Sequence, residues 1–146
     1  MTVIDIQNLT TFPIEEDFVR HVAKKTLQYS GIKGAVSMGV AFVGRAAAQK
    51  LNRQYGGKNK ATDVLSFQSE GKFITPKITG KYLGEIVVCP MVVKKHATVL
   101  GTPFIREISH VIIHGILHLI GYGHTDNQRS IKRMHGREEK IMNRVL

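Results

Sequence analysis

Cysteine occurs once, at Cys89, so the chain cannot close a disulfide on itself and nothing points to an oxidising compartment. A lone thiol of this kind is expected to be a small buried apolar residue. No apolar run reaches the roughly 20 residues that a membrane span needs, and the start, M-T-V-I-D-I-Q-N, has no basic stretch leading into an apolar core. A cytoplasmic protein with no membrane partner is therefore expected. Acidic side chains are scarce: 11 Asp and Glu stand against 21 Lys and Arg, a formal charge of +10. That surplus attracts polyanions, nucleic acid among them, although it also serves simply to keep a protein soluble. The cations are scattered, and no basic run is long enough to be a dedicated tail. Repeats, linkers and low-complexity segments are missing too. A length of 146 residues suits one domain, 1–146, with a real core, and not two.

What is present switches between a period of two and a period of 3.6. Residues 2–6 alternate and are β-rich, which predicts a first strand. Pro13 suits a first helical turn and Glu15, Glu16 and Asp17 its positive end, so a helix is predicted next, with Ile14, Phe18, Val22 and Leu27 inward and Ser30-Gly31 at its end. Residues 35–43 read as a second strand with Val36, Met38, Val40 and Phe42 on one side, and 46–55 as a helix broken by Gly56-Gly57. A polar loop leads into D-V-L-S-F, 63–67, a short strand; 69–81 has no clear period and reads as a hairpin-like excursion, and 83–89 as a fourth strand. Pro90 opens a helix to about Leu100, and Thr102-Pro103 caps and starts a nearly all-apolar one over 104–120. Thr125-x-x-Gln128 resembles a capping box for a last helix, with Ile131, Met134, Ile141 and Val145 inward. The expected fold is α+β in a single domain: a small mixed sheet of about four strands packed by about five helices, the 104–120 helix central.

That helix carries the one polar stripe in an apolar surface, Glu107, His110, His114 and His118. His114 and His118 lie four apart, one turn above the other on the same face, so both rings can aim a nitrogen at one point. Gly121 accepts the left-handed backbone that stops a helix, and the chain can then return to bring His124 in from a third direction. One histidine on an apolar helix is usually a core residue with a satisfied hydrogen bond. Three at this spacing match the long zinc-protease motif and predict a zinc site with an open fourth position. The position after the first histidine, where those proteases carry the glutamate that acts as base, is Gly115, which argues against a metalloprotease. Glu107 and His110 fit a supporting role, either as a hydrogen-bond partner behind the ligands or as a pair with each other.

The blocks H-G-I-L-H-L-I-G-Y-G-H, L-N-R-Q-Y, K-A-T-D-V-L-S-F, L-G-E-I-V-V, R-E-I-S-H-V-I-I-H-G and the C-terminal M-x3-E-x-x-I together resemble the YbeY family of bacterial rRNA-maturation endoribonucleases. They run in order over most of the chain from Leu51 onward. The resemblance implies a zincin-like α+β fold, one zinc held by His114, His118 and His124, and rRNA and the small ribosomal subunit as partners in rRNA processing and ribosome quality control. Two positions depart from the family pattern. Tyr55-Gly56-Gly57 stands where the family usually has Tyr-Arg-Gly, whose arginine is thought to take part in cleavage, and Gly121-Tyr122-Gly123-His124 stands where it has Gly-Tyr-Asp-His.

Hydrolysing a phosphodiester needs an activated nucleophile and neutralised phosphoryl oxygens; zinc on three imidazoles supplies much of this, and cations must help. Arg53, Lys58 and Lys60 border the loop before D-V-L-S-F and Arg45 is close in sequence, so one of them is a candidate substitute for the missing arginine, although each also reads as ordinary surface charge. The leading expectation is a zinc-dependent hydrolase, an endoribonuclease that acts on single strands. The alternative is a non-catalytic, zinc-containing ribosome or RNA-binding factor, kept open by Gly56 and Gly123.

Overall fold

A computed structural model of the protein describes residues 2–69, 73–74, 79–122 and 127–146. In chain order the elements are β1 (Thr2–Asn8), α1 (Glu16–Tyr29), β2 (Val36–Phe42), α2 (Arg45–Leu51) continued by a π-helical turn (Asn52–Gly56), β3 (Val64–Gln68), β4 (Phe73–Ile74), β5 (Thr79–Val88), α3 (Pro90–Leu100), α4 (Phe104–Leu119) and α5 (Gln128–Val145). The strands form one mixed sheet in the order β1-β2-β5-β3, with β1 and β5 parallel to β2, β3 antiparallel to β5, and the two-residue β4 paired to the start of β5.

Alternation along the central strands divides the molecule into two layers of core. Val36, Met38, Val40 and Phe42 of β2 join Ile86 and Val88 of β5 beneath α1, α4 and α5 in the main core. Between them, Ala41 and Val87 point the other way and join Val43, Ala48, Cys89 and Val92 in a smaller cluster. Every residue of β2 is therefore buried, on both faces and not on one. Cys89 is buried, as a lone thiol was expected to be. α4 packs against α1, α3, α5, β3 and β5, which is why it is apolar nearly all round. No helix among the described residues is long and apolar enough to cross a membrane.

Several element ends differ from the sequence expectation for local reasons. α1 begins at Glu16 after Glu15, so Pro13 lies before the helix and not in its first turn. β5 starts at Thr79 and takes in the end of the segment read as an excursion, because β4 pairs with it. The residue before α4 is Pro103, and the buried Thr102 hydroxyl makes no hydrogen bond there, so Thr102 is not a cap. α5 is capped by Asn127, whose side-chain oxygen accepts from the Ser130 N–H at 2.8 Å; Thr125, the first residue of the expected capping box, lies outside the described residues. Ile131 is 44% exposed, so it is not part of the inner stripe that Met134, Ile141 and Val145 do form. Gly121 ends α4 at φ +113, as the spacing predicts.

Candidate active site

β3 is an edge strand, and its side chains reach α4 directly. The Ser66 hydroxyl donates to the Gly115 carbonyl at 2.8 Å, and the Gln68 amide donates to the Leu119 carbonyl at 3.1 Å. So close an approach requires Gly115: a Cβ there would come within 2.9 Å of Val64 Cγ2 and 3.3 Å of Ile86 Cγ2. The same contact leaves no room for a protease-type glutamate at this position. Between strand and helix lies a cleft of about 480 Å³, walled by residues 62–66 and Gln68 on one side and by His114 and His118 on the other.

The histidine stripe of α4 is half-buried at this wall, while most of the helix from Ile108 onward is in the core. His114 Nε2 and His118 Nε2 are 3.1 Å apart. Two nitrogens bound to one zinc at 2.0–2.1 Å and near-tetrahedral angles would stand about 3.3 Å apart, so the pair is already spaced for a shared ion. On the far side of the His114 ring, Nδ1 lies 2.8 Å from Glu138 Oε1, and His110 Nε2 lies 2.7 Å from Glu138 Oε2. Glu138 comes from the inner face of α5 and is 2% exposed. Burial pushes its carboxyl up, but the hydrogen bonds and charges of His110 and His114 outweigh that and hold it at about 2, so it is a carboxylate that only accepts. His114 must then donate from Nδ1, which leaves Nε2 with its lone pair toward the cleft. This is the arrangement in which a carboxylate fixes the tautomer of a metal-binding imidazole.

His110 is raised above its usual range, first by the hydrogen bond to Glu138 and against the opposing effect of burial, with Glu138, Glu107 and Asp63 adding charge. Its contact with Glu107 is long, at 4.0 Å, so Glu138 is its principal partner and the three-residue pairing is secondary. Glu138 and the cleft-lining Asp63 escaped the sequence reading. Both lie in quoted blocks, but a glutamate followed by Glu139 on a basic helix reads as surface charge. The usable signal was the spacing of Met134, Glu138 and Ile141, which sets Glu138 on the apolar face.

Of the predicted ligands, the fold brings His114 and His118 together; His124, like Gly123, lies outside the described residues. No third metal-capable side chain joins the pair among the described residues. Arg45, Arg53, Lys58 and Lys60 are all exposed and none lines the cleft wall. Gly56 adjoins the wall: a Cβ on it would lie 3.6 Å from Leu65 Cδ2 and would meet the Asn52 side-chain oxygen. Asn52 is buried and donates to the Lys60 carbonyl at 2.9 Å.

The fold and site define an α+β protein with a helix-borne histidine pair, tied to a buried carboxylate, facing an edge strand across an open cleft. The family profile described as Endoribonuclease YbeY matches residues 5–146. Relatives named Endoribonuclease YbeY include those of Staphylococcus saprophyticus, 34% identical over 98% of this chain and 95% of its own length, and Persephonella marina, 33% identical over 90% and 84%. The Staphylococcus carnosus relative of the same name is 36% identical over 94% of this chain and 82% of its own. The solution structure of TM1509 from Thermotoga maritima superposes with a TM-score of 0.64 at 29% identity, covering 97% of this chain and 88% of that one. The chain belongs to the YbeY endoribonuclease family.

Proposed function

We propose that the protein is a zinc-dependent endoribonuclease that cuts ribosomal RNA in small-subunit maturation and ribosome quality control, in the cytoplasm. The observation that carries this reading is the pair of Nε2 atoms at 3.1 Å, one of them held in its tautomer by Glu138, at the wall of an open cleft. His114, His118 and His124 would hold the ion. When bound, zinc in such a site supplies Lewis-acid charge to phosphoryl oxygens and lowers the pKa of water to about 7. The chain's own residues do the rest. Glu138 orients His114 and keeps its Nδ1 proton in place, while β3 forms the opposite wall against which a strand of RNA lies. The exposed cations of residues 45–60 attract its phosphates.

A second reading, a zinc-containing RNA-binding factor without cleavage, is favoured by Gly56, which leaves a position adjoining the cleft wall without a cation. Elemental analysis of untagged protein, combined with cleavage of structured rRNA with and without chelator, tests both. About one zinc per chain and cleavage lost on chelation are expected. Zinc bound and rRNA retained without cleavage would favour the binding factor, and protein with neither zinc nor RNA binding would overturn both.

A further inference from the structure

From Phe18 to Thr62 the chain contains no acidic residue and nine cations. Five of these, Arg45, Lys50, Arg53, Lys58 and Lys60, fall on α2, the π-helical turn and the loop after it, and all five are exposed. In their midst stands Tyr55, 67% exposed. Such exposure is unusual for an aromatic ring on a helical turn, since the ring forgoes most of the burial it could have. Tyr55 is nonetheless held in place. Its ring meets Phe67 of β3 edge-on, centroids 5.4 Å apart at 87°, and Phe67 is itself half-buried against the smaller core.

The backbone that carries the ring is fixed with equal care. The π-helical turn closes at Gly57, whose φ of +77 only glycine adopts without strain. The buried Asn52 then binds the returning loop twice: its carbonyl accepts from the Lys58 N–H at 3.3 Å and its side-chain amide donates to the Lys60 carbonyl at 2.9 Å. Gln49 holds the same loop through Asn59 at 3.1 Å. A ring with open surface is thus presented among exposed cations on a preset scaffold. It leans on Phe67, which faces the smaller core, while its strand neighbours Ser66 and Gln68 face the histidine cleft, so the ring stands on the far side of edge strand β3 from that cleft.

We infer that Tyr55 is a stacking platform for an unpaired base of the RNA. This rests on the endoribonuclease reading and adds to it a positioning residue: with a base stacked on Tyr55 and its phosphates on the neighbouring cations, the strand passes around the free edge of β3 to reach the cleft on the other face. Stacking is available to any base that is not already stacked in a duplex, so the residue favours single-stranded over double-stranded substrate with little dependence on base identity.

The chain has no tryptophan, so Tyr55→Trp places a single reporter at the position. With the zinc-loaded protein and a short labelled oligouridine, Tyr55→Phe and Tyr55→Trp should bind as the wild type does, and the tryptophan emission should be quenched on binding. Tyr55→Ala and Tyr55→Leu should each lose about 10-fold or more in affinity for the single strand and in KM, with kcat and melting temperature close to wild type and blunt duplex RNA little affected. Leucine binding as well as phenylalanine would show that apolar contact suffices and overturn the stacking role, as would an unquenched tryptophan or an equal loss on duplex. Wild type binding the oligonucleotide with Tyr55→Ala unchanged sinks this inference alone. Wild type binding no RNA sinks the endoribonuclease reading with it.

Discussion

His118 and Glu138 show how differently two neighbours of one site can be read from a sequence. The histidine declares itself through its spacing, because a polar ring repeated every four residues on an otherwise apolar helix has few structural reasons to exist. His118→Ala should leave the fold intact and abolish zinc binding; an unchanged zinc content by elemental analysis would remove His118 from the ligand set. Glu138 shows locally only its place on the apolar face of α5, by its spacing from Met134 and Ile141; the partners that keep it there as a carboxylate are not local. Its two imidazole partners arrive from 24 and 28 residues away. Glu138→Gln replaces a carboxylate that accepts from both rings by an amide with a single oxygen, and zinc affinity should fall about 10- to 100-fold, measured by competition with a chelator. The pH dependence of the apoprotein follows from the same carboxyl. Its folded value of about 2 lies below the ordinary 4.5, so its stabilisation is present above pH 4.5 and is lost as pH falls from 4.5 toward 2. The shift corresponds to about 3 kcal/mol, and denaturant titrations should show Glu138→Gln flattening that limb of the curve.

The elements were legible wherever period and punctuation agreed: β2, α3, α4 and the end of α4 at Gly121 all fall close to where the pattern puts them. They were not legible where a tertiary partner decides. β5 extends back to Thr79 because β4 pairs with it, and α5 starts at Gln128 because the Asn127 side chain reaches an open N–H. Gly115 read as the absence of a catalytic base, and in the fold it is the contact that lets α4 sit on β3. Gly115→Ala should cost about 1–3 kcal/mol through overpacking against Val64 and Ile86, seen as a lower denaturation midpoint with an unchanged m-value. Gly56 is the opposite case. Its φ is not in the left-handed region, so the obstacle to Gly56→Arg is the Asn52 side chain, which must give up its bond to the Lys60 carbonyl. That variant should lose about 1 kcal/mol of stability. It should also cleave RNA faster than wild type, since even about 1.4 kcal/mol of added transition-state stabilisation is tenfold in rate. A wild type already as fast would show that one of the exposed cations has taken the arginine's place.

At the scale of the whole molecule, charge acts before geometry. With +10 spread over one small domain, RNA binding should weaken steeply with salt; if about four cations reach phosphate, the slope of log affinity against log salt should be about −3, and a flat titration would leave the charge without this role. That surplus, the apolar periods that set helix against strand, the histidine spacing and the family blocks are properties of composition and near neighbours, and the sequence by itself determined them. The charge is a sum that needs no fold, and the periods and spacings depend on residues within a turn or two of one another, where backbone geometry leaves little choice. The order of strands in the sheet, the burial of Glu138, the closeness that Gly115 permits and the placing of Tyr55 against Phe67 were decided only by the tertiary structure. Those contacts join residues far apart in the chain, and the free energy that selects them comes from packing the whole core at once, which no local pattern encodes.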